Sequence, residues 1–186
     1  MMRRYVISVV LLALAWGLAG CATPNTVFLA SNPSAPYTLG SGDRLRVIVF
    51  GQESLSNSYS VDGSGNISMP LIGIVAARGQ TTESLARDIE AKLRNGYLRD
   101  PRVSVEVEAY RPFFVLGEVT TPGQYPYING MTAENAVAVA GGFTPRGYHD
   151  TVGLTRVIGG RSVTFDVPIM QPIKPGDTIV VHERFF

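Results

Sequence analysis

The chain holds one cysteine, Cys21, and two histidines, His149 and His182, in 186 residues. A single cysteine excludes an intramolecular disulfide. Two separated histidines fall short of the three or four convergent ligands of a zinc site, so no metal ligand is expected. His-Glu-x-x-His, Gly-x-Ser-x-Gly and a glycine-rich phosphate loop are all missing, and with them any obvious catalytic residue or cofactor. Charge of one sign is not in excess either. The 16 Lys and Arg against 15 Asp and Glu give no basic field for nucleic acid. The apolar stretch Tyr5 to Ala19 covers only 15 residues, against roughly 20 for a membrane-spanning helix.

What is present begins with Arg3 and Arg4 ahead of that stretch, which closes on Leu18, the small residues Ala19 and Gly20, and then Cys21. A positive start, a short apolar segment and small residues at the cut describe a secretory signal. An uncleaved anchor is the alternative, but the segment is short and broken by Ser8 and Gly17. The spacing also resembles the bacterial lipoprotein signal. That resemblance implies that residues 1–20 are removed, that Cys21 is lipidated and becomes the first residue, and that the chain is held to a membrane outside the cytoplasm. Each buried acyl methylene contributes about 0.8 kcal/mol to such anchoring. Ala22 stands where an Asp commonly retains a lipoprotein at the inner membrane, so the resemblance favours the outer membrane, with the chain facing the periplasm. Loss of Arg3 and Arg4 leaves 14 basic against 15 acidic residues, a formal charge of −1. Residues 21–36, rich in Thr, Asn, Ser and Pro, read as a tether.

Beyond the tether, Leu45, Val47 and Val49 alternate with Arg44, Arg46 and Ile48 after the turn Gly40-Ser41-Gly42-Asp43, which predicts a half-buried strand. Tyr59 to Val61 and Ile67 to Met69 flank Asp62-Gly63-Ser64-Gly65-Asn66, the pattern of a hairpin. Thr81 and Thr82 offer an N-cap to a helix with Leu85, Ile89 and Leu93 on one face, ended by Gly96. Val103, Val105 and Val107 alternate with Ser104, Glu106 and Glu108 in the next strand. The second half repeats this logic. A strand from Phe113 to Val119 precedes a helix capped by Thr132 and ended by Gly141-Gly142, then a hairpin across Gly159-Gly160 and a last strand from Ile179 to Val181. Gly42-Asp43 and Gly176-Asp177 open similar strands. The expectation is an α+β chain of two modules, each mainly β with one helix, and a boundary near residues 110–112.

Four segments carry a family resemblance. They are Tyr37-Thr38-Leu39-Gly40-Ser41-Gly42-Asp43; Val61-Asp62-Gly63 with Ile67, Pro70, Ile72-Gly73, Val75, Gly79 and the Leu85 helix; Pro101 to Val107; and Val115-Leu116-Gly117-Glu118-Val119 with Pro122-Gly123. Together they resemble the polysaccharide export proteins of bacterial envelopes, which serve capsule and exopolysaccharide secretion. The resemblance implies a polysaccharide export domain over residues 37–110 and a soluble-ligand-binding (SLBB) β-grasp domain over residues 111–186. It also implies a homo-oligomeric ring that guides nascent polysaccharide and an inner-membrane polysaccharide co-polymerase or kinase as partner. Longer members end in an amphipathic helix that builds an outer-membrane barrel. This chain stops at Phe186 after a strand, so a separate outer-membrane pore protein is expected.

Residue by residue, Asp62-Gly63-Ser64-Gly65-Asn66 lacks the acidic spacing of a calcium loop and reads as a turn. Asp43 and Asp177 could be taken for the carboxylate pair of a glycan-cleaving enzyme, but each follows a glycine at a strand start, where turn capping explains it. For contact with glycan the candidates are Tyr125, Tyr127, Arg146, Tyr148 and His149, since aromatic faces and planar donors suit sugar rings. The loop holding Arg146, Tyr148 and His149 suits a neighbouring subunit equally well. The expected protein is thus no enzyme. A monomeric glycan-binding envelope lipoprotein is the alternative to a ring-forming conduit or adaptor.

Overall fold

The computed structural model describes residues 27–29 and 35–184; Cys21 and the signal segment lie outside the described residues. The chain forms two apolar cores, one built between Leu39 and Val105 and the other between Phe113 and Val181. In chain order the first unit runs β1 (Arg44–Val49), a short 3-10 turn (Glu53–Leu55), β2 (Asn57–Ser60), β3 (Asn66–Met69), β4 (Gly73–Ala76), α1 (Thr82–Arg94) and β5 (Val103–Ala109). β1 lies between β2 and β5, antiparallel to both. Its alternation is the cause: Leu45, Val47 and Val49 are buried while Arg44 and Arg46 face outward. α1 packs against β5. Thr81 caps it, its hydroxyl accepting the Ser84 N–H at 3.2 Å, and Leu85, Ile89 and Leu93 are fully buried along one stripe.

One expectation needs correction. The strands flanking Asp62 to Asn66 do not pair with each other. β2 joins β1, whereas β3 forms a hairpin with β4, matching Ile67 to Val75. The turn itself is real, since Asp62 Oδ1 accepts the Asn66 N–H at 2.9 Å and the Gly65 N–H reaches the Asp62 carbonyl at 2.9 Å. It redirects the chain between two sheets. Alternation identifies a strand but not its partner, and the short strand Gly73–Ala76 supplied a competing one.

The second unit contains β6 (Phe113–Gly117), β7 (Gly123–Tyr125), α2 (Ala133–Val139), β8 (Thr151–Ile158), β9 (Arg161–Pro168) and β10 (Thr178–Val181). Its five strands lie in the order β7-β6-β10-β8-β9. Only the β6–β10 pair is parallel, and α2 covers the side lined by Phe113, Val115, Leu154 and Ile179. Thr132 and Asn135 form a reciprocal capping box at the start of α2. Gly159 and Gly160 both adopt positive φ, 58° and 79°, as a two-residue hairpin turn between β8 and β9 requires.

The second unit also fixes part of the segment read as a tether. The Val27 N–H donates to the Asp166 carbonyl at 2.9 Å. The fully buried Gln171 side chain accepts the Leu29 N–H at 2.9 Å and donates to the Leu29 carbonyl at 3.0 Å, holding that residue as a neighbouring strand would.

Candidate functional site

The two Gly-Asp segments fold alike and meet at the junction of the units. In each, the Asp N–H donates to the carbonyl three residues back, at 3.2 Å for Asp43 to Gly40 and 3.1 Å for Asp177 to Lys174. In each, the carboxylate accepts the N–H of that same residue, at 2.8 Å from Gly40 and 2.7 Å from Lys174. The glycine before each Asp adopts positive φ, 92° and 85°. Both carboxylates are buried, which is costly unless they are paired and hydrogen bonded. Arg156 satisfies Asp177 with two bonds, Nε to Oδ1 at 2.9 Å and Nη2 to Oδ2 at 2.6 Å. Asp43 is satisfied by the Tyr37 hydroxyl at 2.6 Å, the Arg111 N–H at 2.9 Å and Arg111 Nη1 at 3.3 Å. Both carboxylates thus do the turn capping that the sequence implied.

Arg111 joins the units. It lies between β5 and β6, and while Nη1 serves Tyr37 at 2.9 Å and Asp43 in the first unit, Nε donates to the Pro175 carbonyl of the second at 3.1 Å. Glycines make room for it. A Cβ on Gly40 would stand 2.2 Å from Arg111 Nη1, and one on Gly176 would stand 2.9 Å from Nε. The guanidinium carbon lies 5.8 Å from the centre of the Tyr37 ring. Tyr37 then meets Tyr110 edge to face at 4.9 Å, and Tyr110 meets Tyr127 at 5.5 Å, so a file of three rings crosses from one unit to the other. Burial, then the bond it donates to Asp43, push the Tyr37 phenol well above the ordinary tyrosine value. Burial raises Tyr127 as well.

Two open cavities flank this joint. One, of about 560 Å³, is walled by Leu29, Arg156 and Ile158; the other, of about 450 Å³, by Tyr37, Tyr127, Asn129, Met131 and Ile173. Thr38, Arg111, Lys174 and Pro175 belong to both, so the cavities form one trough with Arg111 and Lys174 at its middle.

Of the residues singled out by sequence, Tyr127 stands in this trough, its hydroxyl donating to the Ile173 carbonyl at 3.2 Å. Tyr125 lies on edge strand β7, 6.0 Å from the Phe113 ring, with its hydroxyl bonded to the Thr121 carbonyl. Arg146, Tyr148 and His149 share the loop before β8, away from both. Arg146 pairs with Glu183, the Tyr148 N–H donates to the His182 carbonyl at 2.9 Å, and the His149 ring stacks on Phe143 at 4.3 Å. The five candidates therefore do not converge. Sequence reasoning missed Tyr37, Tyr110, Arg111 and Lys174 as a group. The available signal was the repeated Gly-Asp pattern, which marks two loops of one shape that a single arginine can bridge. Among the described residues no cluster of metal-ligating groups occurs, and no helix is long and apolar enough to cross a membrane.

A mainly β unit with one helix, followed by a mixed five-stranded sheet with one helix on its face, defines a tandem α+β protein of the export-domain and β-grasp kind. Residues 31–108 match the family described as polysaccharide biosynthesis/export protein, and residues 112–166 match the SLBB domain, so the chain carries a polysaccharide export domain followed by an SLBB domain. It is 40% identical to the exopolysaccharide production protein ExoF of Rhizobium meliloti over 57% of this chain and 28% of that one. It is 30% identical to the EPS I polysaccharide export outer membrane protein EpsA of Ralstonia nicotianae over 81% of this chain and 48% of that one. It is 26% identical to the polysialic acid transport protein KpsD of Escherichia coli over 89% of this chain and 31% of that one. The chain thus spans less than half the length of these relatives.

Proposed function

We propose that this protein is a lipid-anchored component of capsular or exopolysaccharide export, held by Cys21 at the periplasmic side of the outer membrane and assembled as a ring that acts as conduit or adaptor. The observation that carries the reading is the two domains in tandem, in the order export domain then SLBB domain, behind a lipoprotein-like start. Relatives named for exopolysaccharide production, outer-membrane polysaccharide export and polysialic acid transport support the polymer class. In this reading the work is binding and guidance. Energy comes from polymer synthesis or from an inner-membrane co-polymerase or kinase, and a separate pore protein completes the path across the outer membrane. Arg146, Tyr148, His149, Tyr125 and Tyr127 serve in this reading as contacts to polymer or to a neighbouring subunit.

Deletion of the gene, with complementation by the wild-type chain and by Cys21→Ser, tests this. Surface polymer is expected to vanish on deletion, to return with the wild type, and to return poorly with Cys21→Ser. Unchanged surface polymer after deletion sinks the export reading.

A further inference from the structure

The trough between the units has a charge and shape that the junction alone does not explain. Arg111, Arg156 and Lys174 line it, against the two carboxylates Asp43 and Asp177, which are already committed to Arg111 and Arg156. Lys174 has its backbone N–H fixed by Asp177, while its ammonium has no ion pair among the described residues. Arg111 spends Nε and Nη1 on the joint and leaves Nη2 without a hydrogen bond to the described residues, on a side chain that is 29% exposed. Two residues with unspent cationic donors thus line both cavities, a setting that favours an anion. On one side of them lie the half-buried ring of Tyr127 and the apolar Met131 and Ile173; on the other lie Val157 and Ile158. Alternating apolar walls with a cationic centre suit an extended chain of sugar rings, whose C–H faces pack on aromatic and aliphatic groups. They suit a compact ligand less well.

We propose that the junction trough binds a short, extended stretch of an acidic oligosaccharide, one sugar carboxylate lying on Lys174 Nζ and Arg111 Nη2 and a neighbouring ring against Tyr127. The ligand class rests on the export reading; the site rests on the geometry of the trough. Lys174 offers a clean test because its side chain is exposed and takes no part in the joint.

The full chain, extracted in detergent, is titrated by calorimetry with linear hexamers of galacturonic acid and of glucose, with hydrogen–deuterium exchange to locate binding. The acidic hexamer is expected to bind about tenfold more tightly than the neutral one. Its affinity should fall as salt is raised. Exchange should slow in residues 35–38 and 172–176. Lys174→Glu is expected to weaken the acidic hexamer about tenfold at unchanged thermal midpoint, and Lys174→Gln to weaken it less. Failure to bind at millimolar hexamer, equal binding by Lys174→Glu, or protection confined to residues 145–150 each overturns the site. A chain that restores surface polymer yet binds neither hexamer loses the trough and keeps the export reading. A chain that binds through Lys174 but whose deletion leaves surface polymer intact does the reverse.

Discussion

Tyr37 is the residue on which most of the junction leans. Its hydroxyl donates to Asp43 and accepts from Arg111 Nη1, while its ring lies 5.8 Å from the guanidinium carbon and meets Tyr110 edge to face. Burial first, and the Asp43 bond second, hold its proton in the folded chain far beyond the ordinary value of 10.0. An unfolded Tyr37 loses that proton near pH 10 and the folded one does not. Below about pH 10 both states are protonated and the stabilisation is complete; above it the unfolded state alone ionises, so stability falls as pH rises. Tyr59 and Tyr127, raised by burial, push the same way. Urea midpoints measured from about pH 9 to pH 11.5 should therefore decline, and decline less steeply in Tyr37→Phe, which has no proton to lose. Equal slopes in the two chains would mean that folded Tyr37 ionises normally.

At the scale of elements the joint between β5 and β6 decides how the units sit, and Arg111 is its pin. Arg111→Ala strips a buried carboxylate of its cation, which costs about 3 kcal/mol in settings of this kind. The cost should appear as a lowered melting midpoint together with a larger radius of gyration by X-ray scattering, because the Pro175 contact is lost with the same side chain. Adding Asp43→Asn should return part of the stability, since the orphaned charge is gone, without restoring compactness. A single mutant as compact as the wild type would show that Arg111 does not set the joint.

These elements also show what the sequence made legible. The stripe Leu85, Ile89 and Leu93, the alternations in β1 and β5 and the Gly159-Gly160 turn between β8 and β9 were readable because each depends on a local signal alone. Which strand β2 and β3 would choose was not, because pairing is decided by competing partners far along the chain. Arg111 was invisible for a related reason. It occupies a boundary position with no period, and its partners Tyr37, Asp43 and Pro175 stand 64 to 74 residues away. Likewise, nothing near Leu29 announces Gln171, which lies 142 residues on. Of the candidate site, Tyr127 was named for its aromatic ring, and the cations that give the trough its charge were not.

For the whole molecule the remaining question is assembly. On the side of the five-stranded sheet away from α2, Phe114 and Leu116 of β6 are 39% and 45% exposed, although the alternate residues Phe113 and Val115 are fully buried. Large apolar groups on an open sheet face are a usual mark of a surface that another chain covers. In the proposed ring the second copy is that chain, and the proposed lipid on Cys21 would raise the local concentration at which copies meet. Light scattering of the lipidated protein in detergent should give one discrete mass of many subunits, and Cys21→Ser should give the same species only at higher concentration. Leu116→Glu should lower the mass in both preparations without moving the melting midpoint, because Leu116 adds nothing to the core beneath it. A stable interface buries on the order of 1,600 Å² in total, so one charge at its centre is enough to break it. A monomer at every concentration, lipidated or not, would remove the ring and leave a glycan-binding lipoprotein whose business is done in the trough between its own two units.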